Sequence, residues 1–217
     1  MTDWEGSAAR ATERHDDGLA RLLEDPDERQ RQLTRMGNAA WAAGLSLLML
    51  GRGDEAAAWL GRAAERYRES WPDAPPGSWG RPIGAMKACL IADDLDGARA
   101  DAQWALEAGA SESESPIGRY AAALAHLVLG EDGPAGELAA TLHGVGGFPQ
   151  AVADALGAVA AGDANGYDVA VRSLLADFES RDEFLEDITV ADTVLALQVL
   201  AAQRGLAVSL RSPLLPA

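Results

Sequence analysis

The sequence predicts an all-α protein of about ten helices, arranged as stacked antiparallel helical hairpins. Apolar side chains repeat at steps of three and four residues along most of the chain, which is the spacing of one face of a helix. Glycine and proline interrupt this pattern at intervals typical of helix ends. A period-two alternation typical of strands is not evident, although Leu206–Leu210 could be briefly extended.

The first long helix has clear signals at both ends. Asp25–Glu28 supplies an N-cap, a proline at the first helical position and acidic side chains in the first turn. Gly51 and Gly53 end the helix. Between these ends, one apolar stripe contains Leu33, Met36, Ala40, Ala43, Leu47 and Leu50.

The same N-cap, proline and glycine signals mark the ends of the later helices. Asp54 and Glu55 open a second helix that ends before Pro72, and Ser115 followed by Pro116 repeats the N-cap signal. The remaining helices are predicted near residues 83–93, 96–108, 116–129, 134–143, 149–161, 167–179 and 182–204.

The turns between helices resemble one another, which indicates an internal repeat. Each acidic or glycine-rich turn leads to a mostly small residue, followed four and seven positions later by residues on the same helix face. The sets are Ala56, Leu60 and Ala63; Ala98, Ala102 and Ala105; Ala135, Ala139 and Leu142; and, more faintly, Tyr167, Val171 and Leu174. Small side chains at such positions let one helix lie close against another.

These turns resemble the tetratricopeptide repeat, whose second helix begins with an alanine. Trp41 and Gly44 also fall close to the aromatic and glycine positions of that repeat's first helix. The first residues of the four sets are 42, 37 and 32 residues apart, whereas that family keeps a steady spacing. The resemblance covers residues 38–179 and implies an α-solenoid. We therefore expect a single domain over 1–217, with an N-terminal helical cap (1–37), hairpins (38–179), and a C-terminal capping helix with an extended tail (180–217).

The C-terminal part carries a second resemblance. Asp187–Val208 and the closing Ser212–Pro216 are similar to the end of an all-α immunity family of polymorphic toxin systems, immunity protein 49. That resemblance implies a protein that neutralises a toxin partner. The whole chain also resembles uncharacterised haloarchaeal proteins, notably over Pro75–Met86, which indicates a class of organism and no function.

The charge balance favours a salt-rich environment. The chain has a net charge of −16, with 34 acidic residues, 17 arginines and a single lysine, Lys87. At molar salt the Debye length falls to about 3 Å, so the self-repulsion of such a surface largely disappears. We therefore expect a halophilic protein. The alternative is a GC-rich genome, which also favours alanine, glycine, arginine and aspartate.

The same composition argues against several classes of partner. Because phosphate contacts dominate nucleic-acid affinity, so acidic a chain is a poor direct binder of DNA or RNA. The apolar stretch Ala39–Leu50 is too short to span a bilayer. Cys89 is alone, and the N-terminus lacks the pattern of a signal peptide. We expect a cytoplasmic protein, with a homo-oligomer left open.

The loop Trp71–Pro82 is the most unusual local segment, with four prolines and two tryptophans. Tryptophan and arginine are enriched in interface hot spots, so we predict a binding surface bordered by Trp79, Arg81 and Lys87. Arg119 and Tyr120 are predicted neighbours. The loop itself is interpreted first as a structural strap whose tryptophans cap the first hairpin, and this interpretation is compatible with a binding surface. If the loop is only a strap, Arg81 pairs with a local acid such as Asp73 and pins it.

We predict no catalytic residue, metal site or cofactor. The three histidines are dispersed without ligand spacing, and Cys89 lies on an apolar helix, where a buried structural thiol is expected. Glu179, Glu183 and Asp187 fit a solvated acidic helix face better than a cation site. The favoured function is a protein-interaction module with an unidentified protein partner. An immunity protein and a small-ligand binder or enzyme remain the alternatives. An open groove would favour the protein-interaction module. An enclosed pocket lined by Arg81 and Lys87 would favour the small-ligand binder or enzyme.

Overall fold

The computed structural model describes residues 2–217, which form ten α-helices, two short 3₁₀ helices and no β-strand. The predicted all-α class and the number of helices are confirmed. The helices are α1 (Trp4–Ala20), α2 (Pro26–Met49), α3 (Gly53–Glu69), α4 (Gly80–Ile91), α5 (Leu95–Glu107), α6 (Pro116–Leu129), α7 (Asp132–Ala140), α8 (Gln150–Ala161), α9 (Ala164–Glu179) and α10 (Asp192–Ala202), with 3₁₀ turns at Ala110–Glu112 and Leu185–Asp187. Across residues 2–217, no helix combines the length and apolar character that crossing a membrane requires.

The predicted N-caps are present. The Asp25 side chain accepts a hydrogen bond from the Glu28 amide (3.0 Å), and Ser115 accepts one from the Gly118 amide (3.1 Å). A proline follows each cap at the start of its helix. These caps satisfy backbone donors that the helix itself leaves free.

Four helix pairs are joined by turns with the same backbone geometry. Gly51, Asp93, Gly130 and Gly162 each have a left-handed conformation, with φ of 73°, 59°, 78° and 66°. In every turn the next residue donates its amide to a carbonyl five positions earlier, and the left-handed residue donates to a carbonyl three positions earlier. This is the Schellman motif, which satisfies the last carbonyls of a helix. Among the four turns, only the one at Asp93 has a residue other than glycine in this conformation.

The predicted close-packing faces are confirmed. All twelve residues at the four sets of positions after these turns are buried; they are Ala56, Leu60, Ala63, Ala98, Ala102, Ala105, Ala135, Ala139, Leu142, Tyr167, Val171 and Leu174. Each helix packs against the next helix in the chain, and α4, α6 and α8 also contact one another in order. The small residues allow these approaches because they add little volume between helix axes.

Glycines make two of the approaches closer still. A Cβ atom at Gly44 would lie 2.7 Å from Leu60 Cγ and 3.2 Å from the backbone oxygen of Ala56. The Tyr67 ring of α3 lies between Gly37 of α2 and Gly84 of α4, where added Cβ atoms would be 2.8 and 2.7 Å from the ring. Side chains larger than hydrogen would force these helices apart.

The C-terminal part differs from the prediction in two ways. The helix expected over 182–204 is only α10, because Glu186 and Asp187 have positive φ (56° and 60°) and break the helical path. Glu179, Glu183 and Asp187 therefore share no helix face. Instead of only capping the end of the chain's helices, α10 packs against α4, α8 and α9, while the 3₁₀ turn at Leu185–Asp187 packs on α2. Residues 206–217 continue without regular secondary structure.

Candidate functional site

The tryptophans of the Trp71–Pro82 loop pack inward. Trp71 contacts Trp79 (ring centroids 5.6 Å apart) and meets Trp104 edge-on at 5.5 Å. Trp79 is buried, and a Cβ atom at Gly118 would lie 2.8 Å from its indole nitrogen. The loop therefore acts as a strap that fixes the start of α4 against α5 and α6. Trp79 positions its neighbour Arg81 and does not itself face solvent.

Arg81 is a buried cation held by neutral groups. Only 8% of the residue is exposed. Its Nε donates to Thr34 Oγ1 (3.2 Å) and one Nη donates to Gln30 Oε1, so both partners lie on α2. No carboxylate in residues 2–217 forms an ion pair with Arg81, so the pairing with Asp73 that the sequence left open is absent there. Burial lowers the pKa of the guanidinium from its ordinary value.

The side chain of Gln30 links Arg81 to one carboxylate, that of Asp27. The Gln30 amide nitrogen donates to Asp27 Oδ1 (3.1 Å), and the Gln30 oxygen accepts from Arg81. Asp27 also pairs with Arg31 at 2.8 Å. Asp27 therefore orients the Gln30 amide, but its own charge is shared with a second arginine.

Lys87 is fully engaged within the fold. Its Nζ donates to Asp192 Oδ2 (2.6 Å) and Thr193 Oγ1 (2.9 Å), and it lies 5.4 Å from the centre of the Trp41 ring. Asp192 is the first residue of α10, where a carboxylate is also favoured by the helix dipole. The contact ties α4 to the start of the C-terminal helix.

Arg81 and Lys87 line the same cavity, which we call the central cavity. It has a volume of about 410 Å³ and is lined by Thr34, Asn38, Trp41, Tyr67, Ser78, Gly80, Arg81, Ile83, Gly84, Lys87, Leu185 and Asp192. A smaller depression of about 240 Å³, the side cavity, shares Trp41, Lys87, Leu185 and Asp192 with it. The structure thus brings together the two cations that the sequence predicted.

The central cavity combines positive charge with aromatic walls. Asp192 is the carboxylate that lines the cavity, and it already pairs with Lys87. Arg81 is therefore the cation of the lining without a direct acidic partner among residues 2–217, although the charge of Glu186 also acts on the Tyr67 wall. Tyr67 donates its hydroxyl to Asn38 Oδ1 (3.0 Å), which leaves the Asn38 amide nitrogen as a donor on the wall. Burial, with the charges of Asp192 and Glu186, raises the pKa of the Tyr67 hydroxyl, so it remains a hydrogen-bond donor.

The other two predicted residues lie elsewhere. Tyr120 is buried beside Phe148 (ring centroids 5.8 Å apart) and lines a separate cavity of about 400 Å³ that Thr193 also lines. Burial raises the pKa of its hydroxyl, with a further contribution from Asp192. Arg119 is half-buried on α6 and lines neither this cavity nor the central one.

Several residues of the central cavity were not predicted. Asn38, Tyr67 and Asp192 carry its polar groups, and Leu185 forms part of its rim. Asp192 had one usable signal, since an acid directly before an apolar run is typical of a helix start. No local pattern indicated that this helix start would lie against Lys87.

A larger cavity, of about 630 Å³, lies between α1, α2 and the 3₁₀ turn at Leu185–Asp187. Its three cations are solvated: Arg14 pairs with Glu186 (2.9 Å) with 53% of its side chain exposed, Arg21 pairs with Asp17 (2.6 Å) with 72% exposed, and Arg35 is exposed to solvent without an ion pair among residues 2–217. Solvated ion pairs have little to gain from a further partner. The central cavity, which holds a buried cation, is therefore the better candidate site.

The chemically reactive groups lie outside the central cavity. Cys89 is buried, as predicted, and donates its thiol to Asp101 (3.4 Å), which also forms a two-pronged ion pair with Arg68. Burial and the Asp101 charge raise the pKa of the Cys89 thiol to about 12, so it is neutral near pH 7. Residues 2–217 contain no group of three or more histidine, cysteine, aspartate or glutamate side chains placed to hold a metal ion.

Compared with known proteins, the chain shows no significant match to a family model, a curated protein or a solved structure.

Proposed function

We propose that this protein is a non-catalytic interaction module, built from tetratricopeptide-like hairpins, that binds a protein partner. The repeat-like architecture is supported by the four equivalent Schellman turns and by the buried residue five positions after each left-handed residue. Stacked hairpins of this kind create extended surfaces and need no catalytic chemistry.

The observation that carries the proposal is the position of Leu185. Its side chain lies on the rim shared by the central and side cavities, and 55% of the residue is exposed. The two depressions that Leu185 adjoins have aromatic walls, which include Trp41, Tyr67 and Phe184, and concave surfaces of this kind accommodate the anchoring side chains of a partner. The partner would cover Leu185 and enter the central cavity with a side chain or a chain end.

The experiment compares Leu185→Asp with Val169→Asp. Val169 is 70% exposed on α9 and lines neither cavity, so this control adds the same charge at another exposed apolar position. Each variant and the unchanged protein are used for affinity capture from native, high-salt lysate. We expect one prominent partner to be recovered by the unchanged protein and by Val169→Asp, and lost with Leu185→Asp. Equal recovery by all three would place the partner's site elsewhere.

A second candidate function is the binding of a small ligand. The volume of the central cavity falls in the range of about 300–1,000 Å³ that is typical of ligand pockets. Trp41, Tyr67 and Ile83 supply apolar wall, and the charged groups are few, as in such pockets. A ligand that raises the unfolding midpoint of Leu185→Asp as much as that of the unchanged protein would favour this function.

A further inference from the structure

Two cations that line the central cavity, Arg81 and Lys87, have different kinds of partner. Lys87 meets a carboxylate inside the fold, since Asp192 accepts from its Nζ at 2.6 Å. Arg81 is more than nine-tenths buried and bonds only to the neutral side chains of Gln30 and Thr34. One of its terminal nitrogens, Nη1, is buried without a hydrogen-bond partner among residues 2–217.

This arrangement is unfavourable for a structural cation alone. Arginine keeps its proton under ordinary conditions, so it cannot escape burial by becoming neutral as lysine can. A buried charge normally has a counter-charge within hydrogen-bond reach. Here the nearest carboxylate link runs through Gln30 to Asp27, which already pairs with Arg31. The guanidinium therefore has capacity for a direct anionic partner.

We propose that the central cavity is an anion-binding site in which the Arg81 guanidinium pairs with a carboxylate or phosphate group of the ligand. The Asn38 amide nitrogen supplies a further donor from the opposite helix, and Trp41 and Tyr67 contact the body that carries the charge. The ligand class is thus a small organic anion with an apolar or aromatic part, or the same group at the end of a partner's chain.

Binding involves a local exchange of acceptors. Because Nη1 is covered, the guanidinium has to turn from Gln30 toward the cavity to present two nitrogens to the anion. Charge-assisted bonds to an anion are stronger than bonds to a neutral amide, which favours the exchange. Gln30 keeps its bond to Asp27 in the exchanged state, but its buried oxygen loses the Arg81 donor, so the bonds to the anion have to outweigh that loss.

The inference deepens the proposed function by naming the chemical class that enters the central cavity, and it rests on that cavity being a binding site. Both sources present the same chemistry to Arg81. A free anion would bind through its own charged group and body. The chain end of a partner would also need contacts from the residues that precede its charged group.

The experiment titrates the protein, with arginine side chains labelled with ¹⁵N, at constant ionic strength in potassium chloride. The probes are benzoate, its neutral isostere benzamide, inorganic phosphate, and a short peptide ending in phenylalanine as free acid or as amide. The Arg81 Nε–Hε resonance, assigned through Arg81→Lys, reports on the site in the unchanged protein. We expect a saturable shift with benzoate, phosphate or the free-acid peptide, and none with the two neutral probes.

Two variants separate the site from general charge effects. Arg81→Gln should weaken binding by about ten- to a hundredfold, as expected for the loss of a charge-assisted bond. Arg119→Gln removes the same charge from a half-buried position outside the cavity and should leave binding unchanged. Should Arg81→Gln fail to fold, the titration of the unchanged protein still decides the matter.

The outcomes distinguish the two sources. A response to benzoate or phosphate indicates a free ligand, and a response to the free-acid peptide alone indicates the chain end of a partner. The absence of a saturable Arg81 shift with every anion, or an equal loss in Arg81→Gln and Arg119→Gln, would overturn the site. If the anions fail while Leu185→Asp still abolishes partner capture, only the anion site is excluded and the proposed function stands.

Discussion

Lys87 and Asp192 are 105 residues apart in sequence and 2.6 Å apart in space. Because both side chains are largely buried, removing one of them leaves the other charge without its partner. Lys87→Gln should therefore lower the free energy of unfolding by about 3 kcal/mol and speed amide hydrogen exchange in α10. Arg172→Gln breaks the exposed Arg172–Asp168 pair and should cost less than about 1 kcal/mol. Similar losses in both variants would show that the Lys87 contact is no stronger than a surface ion pair.

The packing of α5 predicts the effect of one added side chain. Ala98 is completely buried at a close helix approach, so Ala98→Leu should overpack it and cost about 1–3 kcal/mol. Ala100, which is exposed on the same helix, provides the matched control, and Ala100→Leu should change stability by less than about 0.5 kcal/mol. Urea unfolding of the three proteins measures both values. An unchanged midpoint for Ala98→Leu would place that residue at the surface.

The turn at Asp93 predicts a stabilising substitution. Asp93 has φ of 59° at the position that glycine occupies in the other three turns. Glycine reaches this conformation without the steric cost of a Cβ atom, so Asp93→Gly should stabilise the protein by up to about 1 kcal/mol. Gly130→Ala should destabilise it by a similar amount at the equivalent position. A loss of stability in Asp93→Gly would mean that the side chain makes a favourable contact that outweighs the strain.

The acidic surface predicts a response to salt. Screening reduces repulsion among surface carboxylates, so the unfolding midpoint should rise steeply between dilute buffer and molar potassium chloride if the net charge of −16 is a halophilic adaptation. Thermal unfolding at a series of salt concentrations measures this. A flat response would favour the composition of a GC-rich genome as the origin of the acidity.

The elements that could be predicted from the sequence are those fixed by local chemistry. Asp25, Ser115 and the turn glycines act within five residues of their own positions, so caps and turns were visible as short patterns. The buried faces after each turn followed from helical periodicity. In contrast, the helix expected from residue 182 is interrupted where Glu186 and Asp187 have positive φ, and no short sequence pattern indicates that break.

Only part of the candidate site could be predicted, because its residues come from distant parts of the sequence. Arg81 and Lys87 were chosen because cations are scarce in residues 71–217, and both line the central cavity. Their partners Gln30 and Asp192 lie 51 and 105 residues away, on helices whose relative placement depends on packing throughout the fold. Trp79, the third residue predicted to border the binding surface, does not line the central cavity, because its ring packs against Trp71 and is buried.

The path of α10 has a consequence for how this chain can evolve. A row of hairpins that touch only their neighbours can gain or lose a unit by duplication or deletion, since each junction is local. Here α10 contacts both α4 and α8, Asp192 meets Lys87 and Arg204 meets Asp132. An extra hairpin between α4 and α8 would pull these contacts out of register at once. Insertion or deletion of a hairpin between α4 and α8 should therefore lower the free energy of unfolding of this chain.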